Sequence, residues 1–332
     1  MNAPYTLQIG SEPLIYFGKL PSRGDFVRSQ NGGAVINTLD RWISSCLEQL
    51  ATDADWKRHF DAMPAVLFAF AGSRNPAFLV GRLASSQDSS GRRFPFLVAG
   101  SLRTESPLAF LPGMPLAMHA AWSEMEHLMR DARDAADISQ ALGRIEVTPL
   151  EAERDTETLM ARIRTHLETH TVGQLEKNLE AAGNPCSLRH TVTALGLLLS
   201  PLLTSGSGGA SKGLALPLPD DNTSAAFASV FWLSLVTPFL ARGDHEITLL
   251  RSRLAGRQQL IISFSGASPR TLQSIFDPAL AFEANIDLCD AEWIEDYLPG
   301  DYALTKLSSY LEHPDLSLSQ ALATFGEVFL GS

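Results

Sequence analysis

The sequence predicts an α/β protein, a mixed sheet covered by helices on both faces with additional helices in the second half. Three observations carry this. Apolar runs of strand length cluster in two blocks, residues 14 to 102 and 214 to 264, and stretches of helical periodicity fill the interval between them. Three of the strands follow one another between residues 65 and 102 with no room for a crossover helix. The chain has 332 residues, 45% of them hydrophobic, enough to fill one large core or two ordinary ones. Strand order is not legible at this stage.

Taken in order, the first strand is the short apolar run Leu14 to Phe17, stopped by Pro21 and Gly24. Val35, Leu39, Trp42, Ile43, Cys46, Leu47 and Leu50 then recur on one helical face, with Trp42 as a core anchor. Ala65 to Ala71 is a continuous apolar run between Pro64 and Gly72, as a buried strand would be. Phe78 to Ala84 and Phe94 to Leu102 complete an antiparallel meander, joined by the polar segment Ser85 to Arg93. Met114, Met118, Trp122, Met125 and Met129 mark the next helix. Helical character resumes over Glu151 to Ala182, with Gly173 as a dividing point, and over Ser187 to Ser200. The Gly- and Ser-rich segment 204–213 is expected to be a flexible loop leading into a strand, Leu214 to Leu218. Phe227 to Leu240 is apolar on all sides and reads as a buried helix. Ile247 to Leu250 and Gln259 to Phe264 are strands paired across Arg253 to Arg257, and an amphipathic helix closes the chain from Leu316 to Leu330.

Net charge is −11, which argues against nucleic acid or an anionic membrane surface as partner, since both need a basic face. Cys46, Cys186 and Cys289 are too few and too scattered for a disulfide framework. Met1 to Tyr5 lacks the basic and apolar regions of a signal peptide. The best candidate for a membrane span, Ala225 to Ala241, contains Pro238 and falls short of the roughly 20 residues a span needs. The expectation is a soluble cytoplasmic protein without membrane insertion.

Two short segments concentrate charge and turn residues. The first is Gly18-Lys19-Leu20-Pro21-Ser22-Arg23-Gly24-Asp25-Phe26-Val27-Arg28, and the second is Asp88-Ser89-Ser90-Gly91-Arg92-Arg93-Phe94-Pro95-Phe96. Pro fixes one backbone angle and Gly permits another, so such a corner is suited to hold a fixed shape. Gly18, Pro21, Gly24, Phe26, Gly91, Phe94 and Pro95 are read as its structural residues, with Phe26 buried beneath it. Two roles stay open for the charged groups. They tie loop to scaffold through Arg–Asp pairs, with Asp25 or Asp88 accepting from Arg23, Arg92 or Arg93. Alternatively Lys19, Arg23, Asp25, Arg28, Arg92 and Arg93 form an exposed partner-binding surface.

These two segments resemble the signature of the TagF/ImpM family of type VI secretion-associated proteins; the second matches D-x-x-G-R-x-F-P-[FL]. The resemblance covers residues 12–135, taken as a TagF-like N-terminal region. Residues 136–332 are taken as a C-terminal α/β region packing with it, helical over 136–205. The resemblance implies a three-layer α/β/α sandwich. It also implies a non-enzymatic cytoplasmic regulator, a post-translational repressor that binds a forkhead-associated scaffold protein.

No complete catalytic set accompanies the signature, and no cofactor is expected. Lys212 follows Ser211 and precedes Gly213, which breaks the Gly-Lys-[Ser/Thr] order of a phosphate loop. His166 and His170 share a helical face but lack a third ligand, so they are read as surface histidines, and no metal site is expected. The rival to the regulator is an anion- or nucleotide-binding protein or enzyme that uses Lys19, Arg23, Asp25 and Arg92.

Overall fold

Ten strands form one continuous sheet in a computed structural model that describes residues 7–9, 13–135, 137–205 and 212–331. They are β1 (Leu7–Ile9), β2 (Ile15–Gly18), β3 (Val27–Arg28), β4 (Val66–Gly72), β5 (Ala77–Ala84), β6 (Phe96–Thr104), β7 (Gly213–Pro217), β8 (Glu246–Leu254), β9 (Arg257–Ser263) and β10 (Asn285–Asp287). The spatial order is β10-β7-β9-β8-β4-β5-β6-β2-β3, with β1 also pairing β6. All pairings are antiparallel except β10 with β7, which makes the sheet mixed.

The meander β4-β5-β6 is present as expected. Its outer strand starts at Phe96, because Phe94 and Pro95 belong to the connection before it. The hairpin of β8 and β9 turns at Ala255 and Gly256, both at positive φ (49° and 84°), as a two-residue turn between twisted strands demands. At the centre, β4 pairs β8 over six register positions from Leu67 opposite Arg251 to Gly72 opposite Glu246, so the two strand blocks share one sheet.

Side-chain alternation sends the two faces to different cores. Ile15, Phe17, Phe68 and Ile261 face the helices Gly33–Leu50, Trp56–Asp61, Pro269–Phe276 and Pro278–Ala284. Tyr16, Leu67, Val80 and Leu249 face a larger layer that includes His119–Asp134, Leu188–Ser205, Asn222–Val236 and Leu318–Phe329. The result is a three-layer α/β/α arrangement. Trp42 is buried against Phe68 and Phe70, and its Nε1 donates to the Ser268 carbonyl at 3.1 Å, so the anchor has its polar end satisfied.

Several boundaries move. The Met-lined segment is two helices, Met114–Ala117 and His119–Asp134. The charged helical stretch ends at Thr169 and restarts at Val172 under a Thr171–Gln174 capping box, so the break lies just before Gly173. The apolar helix runs Asn222–Val236 and continues as a 3₁₀ turn, Thr237–Arg242. Together these 21 residues are long and apolar enough to cross a membrane, with mean hydropathy 1.7, but 72% of the window is buried inside the fold. Trp232 donates there to the Pro217 carbonyl at 2.9 Å. The central part of the expected loop, residues 206–211, lies outside the described residues.

Candidate functional site

The two charged segments meet. Gly18 ends β2 at φ +133°, and a Cβ there would lie 2.0 Å from the Pro95 carbonyl oxygen, so only glycine lets the strand pass this close to its neighbour. A turn then closes from the Leu20 carbonyl to the Arg23 N–H (3.0 Å), with Pro21 at its first corner. The returning chain pairs as β3, Phe17 opposite Arg28. The second segment lies against this corner: the Ser89 N–H donates to the Arg23 carbonyl at 2.8 Å.

Asp88 organises both loops. Its side chain is out of solvent, and its Oδ1 accepts from the Ser90 N–H (3.0 Å), the Ser90 hydroxyl (2.8 Å) and the Arg92 N–H (2.9 Å). Its Oδ2 accepts from Lys19 Nζ at 2.9 Å and Arg92 Nε at 2.7 Å. Arg92 continues across the seam to the Gly24 carbonyl at 2.5 Å. Gly91, at φ +80°, makes the tight turn that lets the Arg92 backbone face the same carboxylate. Burial alone would push the Asp88 pKa up. The donors from Lys19, Ser90 and the Arg92 and Ser90 backbone outweigh it and hold the carboxyl well below its ordinary range.

Lys19 is therefore a buried tie: its ammonium also sits 4.9 Å from the centre of the Phe26 ring. Arg93 makes a two-pronged pair with Asp61 at 2.8 and 2.6 Å, fastening the second loop to the helix Trp56–Asp61. That contact lowers the Asp61 pKa, through the hydrogen bond first, and raises that of Arg93. Arg23, Asp25 and Arg28 remain exposed. Arg23 reaches the Ser139 hydroxyl at 3.2 Å, and the Asp25 carboxylate accepts from the Phe26 N–H at 2.8 Å.

The expected burial of Phe26 needs correction. The ring is 43% exposed and lies stacked on Phe17 (5.5 Å, 7°) and edge-on to Phe94 (4.8 Å, 78°). The two-strand ladder of β2 and β3 ends at Val27, and among the described residues no element covers the outer face of Phe26. The corner thus exposes an aromatic ring, and Arg23, Arg28 and much of Arg92 are exposed on the same two loops. Sequence spacing identified both loops; it did not reveal Asp61 as the partner of Arg93, because that pairing depends on where a separate helix docks.

The histidine pair also packs differently from expectation. His166 is half-buried, stacked at 3.8 Å on His170 and at 4.0 Å on Phe227. Burial, and then His170, push the His166 pKa down to about 4. One cluster escaped sequence reading because its members come from distant segments: ligand atoms of Asp53, His59 and Asp277 lie within 4.8 Å of one another.

The sequence model for the TagF N-terminal domain, type VI secretion system-associated, matches residues 15–147. No curated protein matches the chain. PA0076 from Pseudomonas aeruginosa PAO1 is among the similar solved structures, at 24% identity and a TM-score of 0.36. That likeness covers 41% of this chain and 62% of the other, so the chain spans less than two thirds of its solved neighbour.

Proposed function

We propose, from a chain that carries a TagF N-terminal domain over residues 15–147, that it is a non-enzymatic regulator working through protein–protein contact. The domain makes it a type VI secretion-associated protein. Within that setting the reading is of a cytoplasmic, post-translational repressor that binds a forkhead-associated scaffold protein of the system.

The observation that carries it is the exposed Phe26 face. A half-exposed aromatic ring on a corner that also exposes Arg23 and Arg28 has the composition of an interface anchor, since aromatic residues and Arg dominate binding hot spots. It is held on a corner fixed by the Lys19–Asp88–Arg92 ties, so little order has to be gained on binding. Against the rival small-anion reading at this corner, Lys19 is buried against Asp88 and the Phe26 ring, which withdraws that donor from solvent.

The test is an equilibrium titration of the purified chain against the forkhead-associated protein of the same system. An Arg23→Ala, Arg28→Ala double variant is expected to bind at least about tenfold more weakly with an unchanged melting temperature, a loss of roughly 1.4 kcal/mol. Wild-type affinity in that variant would remove this face from the interface.

A further inference from the structure

A second feature lies behind the corner, on the opposite face of the same sheet. One cross-strand row reads Tyr16, Val98, Arg82, Leu67, Arg251, Leu260, from β2 through β9. Two arginines thus stand on either side of Leu67, their backbones about 10 Å apart, on the sheet face covered by His119–Asp134 and Asn222–Val236. Buried charges are retained at a cost, and that cost is ordinarily offset by a paired opposite charge.

Here the pairing is incomplete. Glu126, from the helix His119–Asp134, is 3.2 Å from Arg82 and is shared with Arg130 at 3.4 Å. Arg251 is only 8% exposed, donates to the Asn222 side-chain oxygen, and has an Nε with no hydrogen-bond partner among the described residues. No carboxylate among the described residues forms an ion pair with it. Burial, and then Arg82, push its pKa down to about 10 against the opposing charge of Asp221.

The space in front of Arg82 is a cavity of about 340 Å³, walled by Leu20, Ser86, Met129, Arg130, Arg133 and Glu126 among others. That volume lies within the range of about 300–1,000 Å³ of small-molecule sites. A separate small pocket of about 10 Å³, room for one water, lies between Arg82, Glu126, Arg251 and His119. Ser86 is 8% exposed, its hydroxyl has no partner among the described residues, and it lines the main cavity. Arg133 donates to the neighbouring Ser85 carbonyl at 3.0 Å, which holds its guanidinium at the mouth.

We infer that this cavity binds a small phosphomonoester of about sugar-phosphate size, its phosphate held by Arg82, Arg130, Arg133 and the Ser86 hydroxyl. The charge balance favours an anion. Arg82, Arg130, Arg133 and Arg251 face Glu126, Asp134 and, beside Arg251, Asp221, leaving one positive charge over in a chain whose net charge is −11. Planar guanidinium forks match phosphate oxygens, and the unpartnered Ser86 hydroxyl supplies a donor with nothing else to satisfy it. Arg251 adds positive potential from behind Arg82, offset in part by Asp221. This site shares no polar group with the Phe26 face, so the two proposals stand or fall separately.

Isothermal titration calorimetry of the full chain with ribose 5-phosphate tests it, against ribose and against sodium chloride at equal ionic strength. Saturable one-site binding is expected for ribose 5-phosphate alone. Arg82→Gln should weaken it at least tenfold, and an Arg130→Gln, Arg133→Gln double variant on the exposed wall should do the same without loss of folding. Arg23→Ala, Arg28→Ala should bind it as the wild type does. Absence of saturable binding above the salt control would overturn the inference. So would wild-type affinity in the double variant, which decides the matter even if Arg82→Gln does not fold.

Discussion

Asp88 shows at the scale of one residue why the signature is spelled as it is. A buried carboxylate is tolerated only when its lone pairs are filled, and here two backbone N–H groups, one hydroxyl and two cations fill them. Gly91 is needed to turn the backbone toward it, and Gly18 to let β2 pass under Pro95. Lys19 and Asp88 are therefore a joint between two loops 69 positions apart in sequence. Asp88→Asn keeps the shape but replaces an acceptor by a donor facing Lys19, leaving the ammonium buried and unpaired. The expected outcome is a melting temperature lower by roughly 5–10 °C. Circular dichroism on heating checks it, and an unchanged melting temperature would show that the joint carries no stability.

Among elements, the informative contact is between the helices Thr156–Thr169 and Asn222–Val236. His166 lies flat against Phe227 and His170, so the ring serves as an apolar plate and must stay neutral to do so. Its folded-state pKa is about 4, against an ordinary value near 6.5. The sign follows directly. Between those two values the unfolded chain takes up a proton that the folded chain refuses, so stability falls as pH drops from about 6.5 towards 4. Because the ring is only half-buried, the loss is expected to be about 1–2 kcal/mol rather than the full shift. His166→Phe keeps the stack and removes the proton, so denaturant titrations at pH 7 and pH 5 should differ less for the variant than for the wild type. Equal pH dependence in both would assign it elsewhere.

For the whole molecule, the central fact is that β4 from the first half pairs with β8 from the second. The helix Gly33–Leu50 likewise packs into one core with Pro269–Phe276. The segment that matches the family domain, 15–147, thus ends one edge of its sheet at a strand that is interior in the complete chain. An unpaired interior strand such as β4, with most of its residues buried, is an aggregation site. A fragment of residues 1–147 is expected to be insoluble or to bind hydrophobic dye, whereas the full chain unfolds in one cooperative transition. A soluble fragment with native-like near-ultraviolet dichroism would show the first half to be autonomous.

Strand and helix types were legible because local side-chain periodicity reports which face is buried, and that pattern survives without knowledge of the partner. The buried run Val66–Gly72, the meander and the all-apolar helix around Phe231 and Trp232 are such cases. The two signature loops were legible for a related reason: Pro, Gly and clustered charge constrain the backbone locally. What the tertiary structure alone decided is which charges meet. Lys19 and Arg92 share Asp88, Arg93 finds Asp61, Phe26 stays half-exposed, and Arg82 and Arg251 fall into one row. Each depends on sheet order and register, where a shift of one residue sends a side chain to the opposite face, and no short stretch of sequence encodes that.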